Sequence, residues 1–176
     1  MGALPVGSPA QRLGEVLAQQ ATVIVPHLFG DLEGVIGELT ELVQSTDDGR
    51  TGQNYFMLGE ARRLNGDARR ALEEYRLALP LVQDDEATLG AVYFSRGLCF
   101  MAIQEWYAAA EQFQSIPQPQ PPEALVSAGT CARYLGDEKR ALELFDAALK
   151  ADGAHSHARC ARCPICSLRS GANHSW

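Results

Sequence analysis

Three stretches of this chain repeat one another in register, and that repetition limits the possible folds more than any other feature. The first holds Tyr55-Phe56-Met57-Leu58-Gly59, then Asn65-Gly66-Asp67, Ala71, Tyr75 and Ala78. The second holds Tyr93-Phe94-Ser95-Arg96-Gly97, Phe100, Trp106, Ala109, Phe113 and Ile116. The third holds Gly129, Tyr134-Leu135-Gly136-Asp137, Ala141, Phe145 and Ala148. Glycine falls at 59, 97 and 129 and alanine at 71, 109 and 141, so both series step by 38 and then 32 residues. In each copy glycine to alanine is 12 residues and alanine to aromatic is 4. A period of this kind marks stacked units, none of which can bury its apolar face alone.

The residue types predict what each unit is. Two antiparallel helices approach closely where side chains are small, so Gly59, Gly97 and Gly129 on the first helix are expected to face Ala71, Ala109 and Ala141 on the second. Tyr75, Phe113 and Phe145 are expected to fill the space between one hairpin and the next. Gly66 and Gly136 supply a left-handed residue that ends the first helix, and Asp67 and Asp137 then cap the second. Pro80 and Pro117 stop the second helices of the first two units. The second unit has Gln104-Glu105 where the others have Gly-Asp, a departure for Trp106 to offset by packing. The period brackets the value of about 34 residues typical of tetratricopeptide (TPR) units, and the pattern resembles theirs. The expected fold is all-α, a TPR helical-hairpin solenoid over 51–154 with hairpins near 52–85, 90–121 and 122–154.

Residues 1–50 precede the repeats and predict two helices without the TPR pattern. Ser8-Pro9-Ala10-Gln11 reads as a capping box with Pro at the first helical position, and Leu13, Val16, Leu17, Ala21 and Ile24 then share a face as far as Pro26. From Asp31, the residues Leu32, Val35, Ile36, Leu39, Leu42 and Val43 form an apolar stripe at helical spacing. The stripe either caps the first hairpin, whose end otherwise exposes apolar surface, or mediates self-association.

Composition closes off several functions. Lys plus Arg number 15 against 22 Asp plus Glu, for a formal charge of −7, and no basic cluster forms; a nucleic-acid backbone has nothing to hold it. The start, Met1-Gly2-Ala3-Leu4-Pro5, lacks the charged and apolar regions of a signal peptide. The most apolar run, Ala21 to Phe29, is interrupted by Pro26 and His27 and falls short of the ~20 residues of a membrane span. A soluble intracellular protein with no membrane contact is expected. No glycine-rich loop is placed to cradle phosphate. Cys99 and Cys131 read as core residues on the first helices, and Glu73, Glu74 and Glu138 as solvent-facing. Neither an enzyme nor a cofactor is expected.

By TPR register the inward positions of the first helices are Gln53, Phe56, Glu60 and Arg63, then Ala91, Phe94, Leu98 and Met101, then Glu123, Val126, Thr130 and Arg133. Their apolar middle and polar ends suit an amphipathic helix or an extended apolar peptide; packing against a neighbouring helix is the alternative for Phe94 and Met101. TPR domains that bind chaperone tails place Lys and Asn on these helices to grip a carboxylate. The matching positions here are Phe56, Glu60, Ser95, Glu123 and Ser127, none cationic, which argues against that activity.

The tail, 155–176, carries His155, His157, Cys160, Cys163 and Cys166, with His174 beyond. Cys163-Pro164-Ile165-Cys166 places two thiolates as zinc requires, yet all but His174 crowd within twelve residues. A truncated, disordered terminus is the simpler reading, and Cys160, Cys163, Cys166 and His174 stay as weak metal candidates.

From about Asp31 to Asp152 the chain resembles the family of the seventh subunit of the anaphase-promoting complex, a TPR subunit of that ubiquitin ligase. The resemblance rests on the amphipathic leader before the repeats, the longer connection from Leu81 to Glu86, and the Gln114-Ser115-Ile116-Pro117 ending with its Pro-rich link through Pro122. It implies a non-catalytic scaffold of the nucleus and cytoplasm that serves mitotic regulation of the cell cycle. Such a scaffold homodimerises through its N-terminal TPR region and docks on sister TPR subunits. The rival expectations are a free-standing peptide-binding adaptor and a small zinc-binding regulator.

Overall fold

The computed structural model describes residues 31–45, 47–153 and 158–159. Among the described residues there are seven α-helices: α1 (Leu32–Ser45), α2 (Gly52–Leu64), α3 (Ala68–Ala78), α4 (Glu86–Ala102), α5 (Trp106–Gln114), α6 (Pro122–Tyr134) and α7 (Glu138–Ala151). The chain separates into two compact units, Met1–Cys99 and Phe100–Trp176, with the division inside α4. The capping box at Ser8 and the apolar pattern from Leu13 to Ile24 lie outside the described residues, as do Cys160, Cys163, Cys166 and His174.

Local chemistry sets the helix ends. The Asp31 carboxylate accepts from the Gly34 N–H at 2.8 Å, the Thr51 hydroxyl from the Asn54 N–H at 3.1 Å and the Asp85 carboxylate from the Thr88 N–H at 3.1 Å. Each satisfies a donor that a helix N-terminus leaves open. The three turns between first and second helices share one backbone pattern. In the first, the Gly66 and Asp67 N–H groups donate to the Arg63 and Arg62 carbonyls at 3.0 and 2.9 Å. In the third, Gly136 and Asp137 donate to Arg133 and Ala132 at the same distances. Both glycines sit at φ 83°, where a side chain is strained, and Asp67 and Asp137 cap the following helix through the Arg70 and Arg140 N–H groups. In the second turn Gln104 takes the left-handed place at φ 63°, and Glu105 makes no side-chain cap bond.

In the first unit α2 lies between two apolar clusters. On one side Met57, Leu58 and Ala61 meet Val35, Leu39 and Val43 of α1. On the other Phe56 joins Ala71, Tyr75 and Ala78 of α3, Val82, and Val92 and Cys99 of α4. Alternation around α2 follows from helical spacing. The α1 stripe expected to cap or to self-associate is thus half inside this chain. Val35, Leu39 and Val43 are buried on α2, each burial worth ~1.5–3 kcal/mol before entropy. Ile36 packs at the edge of the cluster, and Leu32 and Leu42 are half-buried.

The second unit packs α5 against α6 and α6 against α7. Ala132, Ala141 and Phe145 form its cluster, flanked by Val126 and Leu144. The end of α5 is held by Gln120, whose amide donates to the Phe113 carbonyl at 2.8 Å. The Trp106 and Tyr134 rings stack at 4.0 Å with planes 6° apart, the packing role expected of Trp106.

Two expectations are corrected in detail. The hairpin glycines do not simply face the alanines: a Cβ on Gly59 would stand 2.5 Å from Cε1 of Tyr75, and one on Gly129 2.5 Å from Cε1 of Phe145. The glycine therefore makes room for the aromatic ring of its own hairpin, because ring atoms stand where a methyl group would be. Tyr75 also reaches the next helix, as expected, through its cluster with Val92 and Cys99. The second correction is the start of the second hairpin: α4 begins at Glu86, ahead of residue 90, because Asp85 supplies its cap.

Candidate interaction site

The inward positions of the first hairpin converge on one carboxylate. Glu60, on α2, is 3% exposed. Its Oε1 accepts from the Tyr75 hydroxyl of α3 at 2.5 Å and from Arg63 Nε at 3.2 Å, and its Oε2 accepts from Arg63 Nη2 at 2.7 Å. Ser95 of α4 is buried as well. Burial alone would raise the Glu60 pKa, but the hydrogen bonds and charge of Arg63, with those of Ser95 and Tyr75, outweigh it and hold the carboxyl below its ordinary range. Burial likewise pulls on the Arg63 guanidinium, and Glu60 more than offsets it, so the cation is retained. Burial and the adjoining Glu60 push the Tyr75 phenol well above its usual value.

Cys99 lies in the same cluster, fully buried, and desolvation raises its thiol to about 12. Cys131 on α6 is buried too, and desolvation raises it to about 11. Such thiols are inert packing residues, as their positions on the first helices suggested.

Phe56 and Glu60 are therefore sealed between helices and do not line an open surface. Phe56 sits 6.1 Å from the Tyr75 ring, between centroids, inside the cluster that α4 closes. Arg63 is at the edge, its side chain one quarter exposed. On α4, Phe94, Leu98 and Met101 share one helix face by spacing and are half-buried. In the second unit Val126 packs beside Phe145, and the Thr130 hydroxyl is turned back onto the Val126 carbonyl at 2.9 Å. Arg133 lies 4.8 Å over the Phe145 ring and 3.7 Å from Glu138.

Sequence spacing missed two features. Glu74, expected in solvent, pairs with Arg62 at 3.2 Å across α2 and α3 with both side chains largely covered. Desolvation, opposed by Arg62, raises its pKa. Ser95 matches a clamp position by register, whereas the structure buries it; for the buried Glu60, the Tyr75 hydroxyl, present where the other hairpins have Phe113 and Phe145, was the available signal.

Among the described residues no group of three or more His, Cys, Asp or Glu is placed to hold a metal ion, and no helix is long and apolar enough to cross a membrane.

No protein-family model matches the sequence, and no curated protein sequence does. Solved structures do resemble it. The crystal structure of MamA aligns over 96% of this chain and 86% of its own, with a TM-score of 0.70 at 16% identity. YrrB, described as a TPR protein with an unusual peptide-binding site, aligns over 87% of this chain and 72% of its own, at a TM-score of 0.68 and 19% identity. TTC0263, a thermophilic TPR protein of Thermus thermophilus, aligns over 93% and 82%, at a TM-score of 0.62 and 19% identity. The fold is that of TPR helical hairpins.

Proposed function

We propose that this chain is a non-catalytic protein-interaction scaffold that holds a partner segment against the first helices of its hairpins. The observation that carries the reading is the contrast along those helices. Phe56 of α2 is buried in a cluster with Val92 and Cys99 of α4 and Glu60 is buried beside it in sequence, whereas Phe94, Leu98 and Met101 are half-buried on α4. An apolar face of that width matches one side of an amphipathic helix or alternate side chains of an extended peptide. The peptide-binding site named for YrrB supports the same class of role. The test is Leu98→Glu with Met101→Glu in the full chain. Loss of partner or self-association with helical circular dichroism retained is the expected result; collapse of the helical signal would place these residues in the core and sink the reading.

The finer reading is a subunit like the seventh subunit of the anaphase-promoting complex, homodimeric and docked on sister TPR subunits in the nucleus and cytoplasm. It is favoured by the helical leader α1 ahead of the repeats and by Ile116, buried at the end of α5 immediately before Pro117. Light scattering on the purified chain separates the two. Twice the monomer mass supports the homodimer, and a folded monomer leaves the free-standing adaptor.

A further inference from the structure

The turn after α2 carries a chemistry that the turn after α6 lacks. Asn65 and Leu135 hold the same place with nearly the same backbone, φ −77° and ψ 2° against φ −81° and ψ −4°, each ahead of a glycine at φ 83°. Since leucine serves the later turn, the backbone has no need of a carboxamide there. Asn65 is exposed, and its side chain makes no hydrogen bond to another described residue. Its neighbour Gly66, exposed too, has no Cβ to hinder its nitrogen. That nitrogen can attack Cγ of Asn65. The new N–Cγ bond closes a succinimide, the Cγ–Nδ2 bond breaks, and Nδ2 leaves as ammonia with the proton of the Gly66 amide. Water then opens the ring at either carbonyl, leaving aspartate or isoaspartate at position 65.

The fold sets the rate of this reaction. At ψ 2° the Gly66 nitrogen eclipses the Asn65 nitrogen and is turned away from the Cβ that bears the carboxamide. Its N–H donates to the Arg63 carbonyl at 3.0 Å, and the Asp67 N–H to the Arg62 carbonyl at 2.9 Å. Bringing the nitrogen to Cγ rotates ψ of Asn65 and parts both bonds, so the closed turn is unreactive and the reaction passes through local opening. We propose that Asn65 is a deamidation site gated by the α2–α3 turn. Either product puts a negative charge at the C-terminal end of α2, where the helix carbonyls already repel one, next to the Asp67 carboxylate that caps α3. Isoaspartate also adds a main-chain carbon to a turn closed by two fixed bonds. Conversion therefore loosens the joint between α2 and α3, whether or not the inward face of the hairpins binds a partner.

Incubating the full chain at mildly alkaline pH and reading its peptides by mass tests the site. The Asn65 peptide is expected to gain the mass difference between amide and acid. The peptide with Asn54, whose Nδ2 donates to the Gly49 carbonyl at 2.8 Å, is expected to hold its mass. In urea the Asn65 conversion should run at least about tenfold faster, the gate being open. Equal rates in the folded and unfolded chain, or conversion in urea alone, overturn the proposal. Asp67→Ala removes the cap given to the Arg70 N–H at 3.2 Å. With its helical signal retained, this variant should convert several-fold faster when folded, relative to its own rate in urea; an unchanged ratio overturns the gate. Asn65→Leu, which copies the later turn, should abolish the conversion and keep the urea midpoint, whereas Asn65→Asp, which copies the product, should lower that midpoint. An Asn65→Asp chain as stable as the unaltered one overturns the loosening of the joint.

Discussion

Gly59 and Tyr75 show how one atom governs the packing of the first hairpin. The ring lies where the next smallest side chain would put its Cβ, and Phe145 stands in the same relation to Gly129. Gly59→Ala is therefore expected to destabilise the first unit by about 1–3 kcal/mol, although alanine is the better helix former, because the Tyr75 ring must leave its place. A urea midpoint equal to that of the unaltered chain would contradict this. The need for a small residue at 59 and 129 was legible in the repeat. Its partner was not, since residues 12 and 16 positions ahead both lie on the facing helix, and spacing does not say which side chain leans across. Glu60 was harder still. An inward position is open or buried according to what covers it, and here a partner comes from Tyr75 on the next helix, 15 positions away.

At the scale of elements, the turns were the most legible part, because their chemistry is confined to a few consecutive residues. Gly66-Asp67 and Gly136-Asp137 end one helix and cap the next as their residue types predict. The turn before α5 adopts the same backbone pattern, with Gln104 and Glu105 N–H groups donating to Met101 and Phe100 carbonyls at 3.0 and 2.9 Å. It does so with a strained left-handed Gln104 and no side-chain cap. Gln104→Gly with Glu105→Asp is expected to stabilise the second unit by about 1–2 kcal/mol, relieving φ strain and adding a cap. Thermal unfolding followed by circular dichroism measures it, and an unchanged or lower midpoint would show that the Trp106–Tyr134 stack already fixes the turn. The leader helix was legible as an amphipathic element. Its partner was left open, and α2 takes Val35, Leu39 and Val43.

For the whole molecule, the buried ionisable groups predict how stability depends on pH. The folded-state pKa values of Cys99, Cys131 and Tyr75 are all raised, to about 12 and about 11 for the two thiols and well above 10 for the phenol. Their contribution is fully present below their ordinary values of 9.0 and 10.0 and is lost as pH rises toward the folded ones. The urea midpoint should hold up to about pH 8.5 and fall steadily above pH 9. On the acid side the depressed Glu60 contributes stability above 4.5 that is lost as pH falls through its folded value. Glu74, raised by desolvation, acts in the opposite sense, its ionisation cost being relieved on acidification. Cys99→Ala and Cys131→Ala together should shallow the alkaline fall; an unchanged slope would remove the thiols from the account.

The sequence by itself determined the helices, their caps, the left-handed turns and the repeat, because each rests on residues within a turn or two of one another. Only the tertiary structure decided which inward positions stay partly open and which are sealed. It also decided that a carboxylate at Glu60 is sustained in the interior and that half of the leader stripe is consumed inside the chain. Those outcomes depend on donors and apolar surface brought from α1, α3 and α4, and a buried charge or an exposed stripe is defined by its neighbours in space.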